Sequence, residues 1–382
     1  MGKGKQKKTA KKSGNICLMM TITKKKTIQH STARGKKKKR KPYGKVKVSR
    51  MCKTTMKKNI LILPGDGIGK DICRAVLPIL ETFDLPITLT YGEIGWECWQ
   101  RDGDPIPSET WEKIAASDAI LLGATTSKGK AEAENALPDR LKNTSRKYVS
   151  PIIQLRQKLG LYANIRPFRY ISGPQRPFRA CVVRENTEGL YSGLDFKGIS
   201  SETAIWLKHP NIEKSGLQET TFSVRLQTRF GLERLFHAAF TYAKKHKLKL
   251  VTLADKPNVL RESGQFAKDI FEQVALQYPD IKHEIHNVDA VGLWLVKKPE
   301  RFGVIVAENM FGDILSDVAA GIMGGLGLAA SMNIGENIAY FEPVHGSAPH
   351  LSGKDKANPS AMFYTLALLL EYLGFSSEAE QI

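Results

Sequence analysis

The first 58 residues contain no acidic residue, yet they carry 22 of the 58 Lys and Arg in the chain. Outside that stretch 36 basic residues face 38 acidic ones, so the formal charge of +20 belongs to one tail and the body is nearly neutral. A neutral body excludes a protein whose main surface is built for polyanions; nucleic acid or an anionic membrane could be met only through the tail. Cysteine is scarce too. The five, at Cys17, Cys52, Cys73, Cys98 and Cys181, have no paired spacing, which excludes a disulfide frame or a cysteine zinc site and points to a reducing compartment. No apolar run reaches the roughly 18 residues that span a bilayer. The nearest, Ala361 to Leu373, reads as a core helix. A cytoplasmic location follows, or an organelle matrix if the tail is a targeting segment.

Residues 1–57 form the tail. It has the run Lys36 to Lys41 and no sustained apolar period, so it is expected to be disordered by itself. Being Lys-rich rather than Arg- and Ser-rich, it makes a poor transit peptide, and Met56 is a plausible functional start just before the first strand.

What is present begins at Asn59. Asn59 to Leu63 reads as a strand, the Gly-rich turn Pro64 to Gly69 follows, and a helix is expected from about Lys70 to Phe83, with Ile72, Val76, Ile79 and Leu80 at helical spacing. The turn lacks the third glycine of the dinucleotide fingerprint. Ile87 to Tyr91, Ala119 to Leu122, Val251 to Ala254 and Phe302 to Ala307 read as further strands separated by helices. That alternation predicts an α/β protein with a mostly parallel, buried sheet. Ser127 to Lys147 is a long polar segment, expected to be a loop.

The chemistry is carried by charged residues in apolar company. Glu308 to Gly312 reads as a strand end and turn, with a helix starting near Ile314. Asp313 and Asp317, four apart, then share one face, where mutual repulsion calls for a positive partner. Mg²⁺ or Mn²⁺ suits carboxylate oxygens; the plainer alternative is that both acids sit in the positive field of the helix N-terminus. Arg156, Arg166 and Arg184 each adjoin an apolar run. Singly, each is explained by an ion pair with Glu185 or Glu188, whereas three together suit a substrate with several carboxylates. Lys256 and Asp289 each follow a strand, a position that opens on a cleft in α/β sheets.

The order of these pieces resembles the β-decarboxylating dehydrogenases: isocitrate, 3-isopropylmalate and homoisocitrate dehydrogenases. The matching stretches are LPGDGIG (63–69), LRQKLGLYANIRP (155–167), VRENTEGLYSG (183–193), DKPNVLRESGQF (255–266), residues 287–317 and EPVHGSAPHLSGKDKANP (342–359). The resemblance implies the isopropylmalate-dehydrogenase-like fold, which is not the classical dinucleotide-binding fold: two α/β domains around a cleft. One would comprise residues 58–161 with 324–382, the other residues 162–323, carrying a dimerisation arm near 194–214.

By that resemblance, Arg156, Arg166 and Arg184, with Ser150 and Asn258, would hold substrate. Asp289, Asp313 and Asp317 would hold Mg²⁺ or Mn²⁺. Lys256 and Asp289 would assist loss of the substrate's hydroxyl proton, and Tyr191 would return a proton after CO₂ leaves. Lys256 and Asp289 would come from the second subunit of a homodimer with shared sites. Thr126, Glu342, His345, Gly346, Ser347, Ala348, His350 and Asn358 would hold the dinucleotide. His350-Leu351 stands where NAD enzymes have Asp and NADP enzymes Lys-Tyr, which leans to NAD over NADP.

For the substrate, Ser150 tips the balance to isocitrate, while Ile152-Ile153 points to isopropylmalate and the Ser-Pro-Ile run to homoisocitrate. The family usually continues some tens of residues past the helix ending near Gly374, so its final helix and strand are expected to be missing from this sequence. A silent regulatory subunit is the alternative from another class; the presence of Arg184, Tyr191, Lys256 and all three Asp argues against it.

Overall fold

The computed structural model describes residues 57–142, 144, 146–171 and 177–382, so the expectations for the tail lie outside the described residues. The described chain is built on a ten-stranded sheet. In sequence its strands are β1 (Lys58–Gly65), β2 (Ile87–Tyr91), β3 (Ala119–Ala124), β4 (Ala163–Arg169) and β5 (Arg179–Glu185). After β6 (Asp195–Lys197) and β7 (Thr221–Ser223) come β8 (Leu250–Asp255), β9 (Lys282–Asn287), β10 (Val304–Ala307), β11 (Ala330–Ile334) and β12 (Ala339–Pro343). The order across the sheet is β2-β1-β3-β12-β11-β4-β5-β10-β8-β9, with β6 and β7 pairing separately.

Helical crossovers make the outer pairings parallel. The three antiparallel pairings sit together in the middle, at β12-β11, β11-β4 and β4-β5. One continuous sheet therefore passes from residues 58–161 and 324–382 into residues 162–323, joined where β11 meets β4.

The strands β1, β3 and β10 are apolar on both faces because helices cover both. In β1, Ile60 and Ile62 pack into one core cluster and Leu61 and Leu63 into another on the opposite face. In β5, Cys181 and Val183 face the first of these, while Ala180 and Val182 join a third that includes Ile305 and Leu315. Cys73, Cys98 and Cys181 are buried and free. The helix expected from Lys70 runs Ile68–Thr82 and buries Ile72, Val76 and Leu80. Ser360–Leu373 is the expected core helix, ended by Gly374 in the left-handed conformation (φ 94°). Among the described residues no helix is long and apolar enough to cross a membrane.

Two elements differ from the sequence expectation. The polar segment 127–147 is not an open loop. It contains the helix Lys130–Asn135 and a 3₁₀ turn at Asp139–Leu141, pinned where the Trp99 indole N–H donates to the Ala133 carbonyl (2.9 Å). The helix after β10 starts at Asn309, not after Gly312. Glu308 caps it by accepting from the Phe311 N–H (3.4 Å).

Candidate active site

The early helix start changes the meaning of the two aspartates. Asp313 and Asp317 are the fifth and ninth residues of Asn309–Met323, beyond the first turn where the helix dipole acts, so the dipole does not explain them. The positive partner within this chain is guanidinium. Arg166 on β4 reaches Asp317 at 3.3 Å and Asp313 at 3.6 Å, and donates to the Ser316 hydroxyl at 2.8 Å. Arg184 at the end of β5 pairs with Asp313 and places Nε and Nη2 on Asn309 Oδ1, at 2.9 and 2.8 Å. Burial outweighs the pull of Arg166 and, with Asp313 adding to it, raises the Asp317 carboxyl above the usual carboxylate range.

Arg184 is packed so closely that a residue on the facing helix must be glycine. A Cβ at Gly312 would lie 2.7 Å from Arg184 Cβ and 3.0 Å from its Cα. Gly312→Ala therefore has opposing consequences. A helix interior gains roughly 1 kcal/mol on Gly→Ala, which offsets much of the overpacking. Displacing a substrate-gripping group by ~1 Å, in contrast, can cost about 100-fold in rate. Thermal unfolding should shift by only a few degrees while kcat/KM falls by at least about tenfold. Measuring both on one preparation checks this.

Arg156, on the helix Pro151–Lys158, turns toward β12. Its Nε donates to the Tyr340 hydroxyl (3.3 Å), and Nη2 lies 3.6 Å from Glu342. Burial opposes its charge, but Tyr340 and Glu342 prevail and hold its proton more firmly than usual. Arg184 goes the other way: burial, then Arg166 and Arg156 beside it, pull it down to about 9. Three crowded, desolvated guanidiniums make a strong pull for a multivalent anion. Glu185 and Glu188, the expected structural partners, are engaged elsewhere. Glu185 accepts from Thr187 (2.8 and 2.9 Å), and Glu188 from the Thr228 amide (2.8 Å) and hydroxyl (2.6 Å).

The loops expected to hold the dinucleotide converge at the ends of β1, β3 and β12. Thr126 and Ser347 share a hydroxyl hydrogen bond (2.5 Å), and Ser347 C=O accepts from the Ile68 N–H (2.9 Å). Gly67 is in the left-handed region (φ 53°), and a Cβ there would lie 2.2 Å from Ser347 O. The residue the sequence reading passed over is Asp66. Almost fully buried, it accepts from the backbone amides of Thr126 (2.7 Å), Trp96 (2.8 Å) and Glu97 (3.2 Å) and so ties three segments together. Its only sequence signal was its place inside the Gly-rich turn.

Ala348 takes a left-handed conformation (φ 34°) after the exposed Gly346. The His345 Nδ1 lies 3.0 Å from the Gly346 carbonyl, while its Nε2 is buried without a partner among the described residues. His350 is exposed, its carbonyl accepting from Lys354 (2.8 Å), and Asn358 accepts from the Ser360 N–H (3.0 Å). Glu342, expected on the dinucleotide side, meets several partners. Besides Arg156 it accepts from Tyr340 (2.9 Å) and Asn333 (3.1 Å), so it faces the arginines.

The remaining residues stand apart. Lys256 forms its ion pair with Asp289, whose carboxyl this bond holds below the usual range. Among the described residues, no group of three or more His, Cys, Asp or Glu is placed to hold a metal ion, so Asp289 does not join Asp313 and Asp317 within one chain. Two partly accessible carboxylates one helical turn apart are nonetheless a fitting half-set for a hard divalent cation. Tyr191 is 51% exposed, with the Arg184 guanidinium 5.8 Å from its ring centre. Asn258 is exposed. The Ser150 hydroxyl lies 2.9 Å from that of Ser127.

Residues 59–382 match the isocitrate/isopropylmalate dehydrogenase family, and the chain belongs to that family. Protein DlpA of Legionella pneumophila is 53% identical over 337 residues, 86% of this chain; the chain spans about half the length of that relative (54%). The 3-isopropylmalate dehydrogenase of Archaeoglobus fulgidus is 39% identical, the match covering 85% of this chain and 89% of that protein. The crystal structure of isocitrate dehydrogenase from Methylococcus capsulatus superposes with a TM-score of 0.71 at 35% identity, covering 85% of this chain and 88% of that one.

Proposed function

We propose that this protein oxidises and decarboxylates a 3-substituted malate, with NAD as hydride acceptor. The observation that carries the reading is the convergence of Arg156, Arg166 and Arg184 beside Asp313 and Asp317. The arginines bind and orient the two malate carboxylates. Mg²⁺ or Mn²⁺, held by Asp313, Asp317 and a second copy's Asp289, would supply Lewis acidity toward the hydroxyl and its neighbouring carboxylate. Lys256 beside Asp289, in its neutral form, would take the hydroxyl proton, and NAD when bound would supply the acceptor for the hydride from C2. Once the C3 carboxylate of the resulting 2-oxo acid leaves as CO₂, Tyr191 would protonate C3 of the enol. Thr126, Ser347, His345 and Asn358 line the dinucleotide's place.

The homodimer is part of the reading. Ile205 and Trp206, in the arm beyond β6, are 73% and 69% exposed, an uncovered apolar surface that suits a second copy.

For the substituent at C3, the helix of Arg156 favours an apolar group over the carboxylate of isocitrate. Ile153, one turn before Arg156, and Val149, just ahead of the helix, leave 45% and 40% of their surface uncovered, and the Ser150 hydroxyl already meets Ser127. NAD reduction should be followed with 3-isopropylmalate, isocitrate and homoisocitrate in turn. A 3-alkyl malate is expected to exceed isocitrate in kcat/KM by about tenfold or more. Excess chelator should abolish turnover, and Mg²⁺ should restore it. Full turnover without divalent metal, or no turnover with any of the three acids, would refute the proposal.

A further inference from the structure

One row of buried polar residues crosses the sheet where its two halves join. Tyr340 on β12 is the register partner of Asn333 on β11, Asn333 of Asn164 on β4, and Asn164 of Arg184 on β5. Asn333, Asn164 and Tyr340 are completely buried. Asn164 Nδ2 donates to Asn333 Oδ1 (2.7 Å), as does Asn186 Nδ2 (3.0 Å), and Asn333 Nδ2 donates to Glu342 (3.1 Å). Asn164 Oδ1 accepts from Arg166 Nε (2.7 Å), while Tyr340 accepts from Arg156 and donates to Glu342.

The direction of every bond in this row is dictated by its ends. A guanidinium can only donate, so Asn164 must turn its oxygen to Arg166 and its NH₂ to Asn333. An ionised carboxylate can only accept, so Asn333 must turn its NH₂ to Glu342 and its oxygen back to Asn164. The two requirements agree at Asn333 and leave each amide one orientation. Arg156 and Arg166, which come from opposite sides of the β11-β4 joint, are thereby held to one another through Asn333.

We propose that Asn333 is a positioning residue that sets the spacing of Arg156 and Arg166, with Tyr340 as its extension to Arg156. This rests on reading those arginines as the carboxylate site of the proposed function. Neither residue touches substrate; both act through the guanidiniums. None of the row's hydrogen bonds reaches Thr126 or Ser347, so the dinucleotide should respond to it far less than the hydroxy acid.

The test compares the full-length protein with Asn333→Leu and Tyr340→Phe. Leucine is close in volume but leaves Asn164 Nδ2 without its Asn333 acceptor and takes one donor from Glu342, which keeps that of Tyr340; phenylalanine removes one hydroxyl and nothing else. Asn333→Leu should raise KM for the hydroxy acid by about tenfold or more, the equivalent of one or two lost buried hydrogen bonds. Tyr340→Phe should raise it about threefold, and KM for NAD should stay within about twofold in both. A merely structural role would instead lower the unfolding temperature and the active fraction, with both KM values intact. That pattern, or an equal rise in both KM values, overturns the proposal.

If Asn333→Leu does not fold, Tyr340→Phe decides alone. Calorimetric titration with L-malate and Mg²⁺ separates the two readings. If wild type turns over none of the acids, the function fails, and weaker malate binding by the variants still supports the row; equal binding overturns it. Absence of malate binding by wild type overturns both.

Discussion

Arg184→Gln should lower kcat/KM by about a thousandfold, roughly 4 kcal/mol of transition-state binding. The reason is the number of groups that one guanidinium serves. It pairs with Asp313, fills Asn309 Oδ1 with two donors, and stands over Tyr191. Glutamine keeps some volume and polarity but not the charge, and it cannot bridge Asn309 and Asp313 together. Asp313 and the substrate carboxylate would then meet without the cation between them. Breaking a buried pair from one side costs about 3–5 kcal/mol, which is why the effect should exceed that of a surface Lys or Arg by far. Arg184→Lys should recover little, since a single ammonium cannot reproduce the fork. Steady-state kinetics with the best acid of the panel, alongside thermal unfolding, check this; a loss of less than about tenfold in a folded variant would remove Arg184 from the site.

Mixing two dead proteins should restore about a quarter of wild-type activity. Within one chain Lys256 is committed to Asp289, and that pair forms no cluster with Asp313 and Asp317. In the proposed shared site, Asp313 comes from one chain and Lys256 from another. Lys256→Ala and Asp313→Ala should each be inactive. Refolded together in equal amounts, half of the dimers pair unlike chains, and in each of those one site gathers both lesions while the other gathers none. Random assortment gives about 25% of wild-type sites in a two-fold symmetric assembly. Mass spectrometry of the mixture establishes that mixed dimers form. Mixed dimers without activity would show that each chain builds its site alone.

Much of this was legible without coordinates because it is written in local spacing. Apolar runs marked β1, β3 and β8 to within a residue or two, since strands buried on both faces need no polar alternation. The ordered motifs from LPGDGIG onward named the family, which the match over residues 59–382 bears out. The misplaced start of Asn309–Met323 has a local cause: Gly312 looks like a turn residue, whereas here it is the one residue small enough to sit against Arg184. The segment 127–147 was misread because its order comes from Trp99, some thirty residues earlier in the chain and out of reach of any periodicity.

The sequence by itself determined the fold class, the family and the residue types of the site, because periodicity and motif order are properties of neighbours along the chain. Only the tertiary structure decided who meets whom. That Arg156 faces Glu342 and not Glu185 or Glu188, that Asp66 ties three loops, and that Tyr340, Asn333, Asn164 and Arg184 stand in one row all depend on strand register. Register is fixed by which apolar faces bury against which helices across the whole sheet, and a shift of one residue would turn each of these side chains to the opposite face.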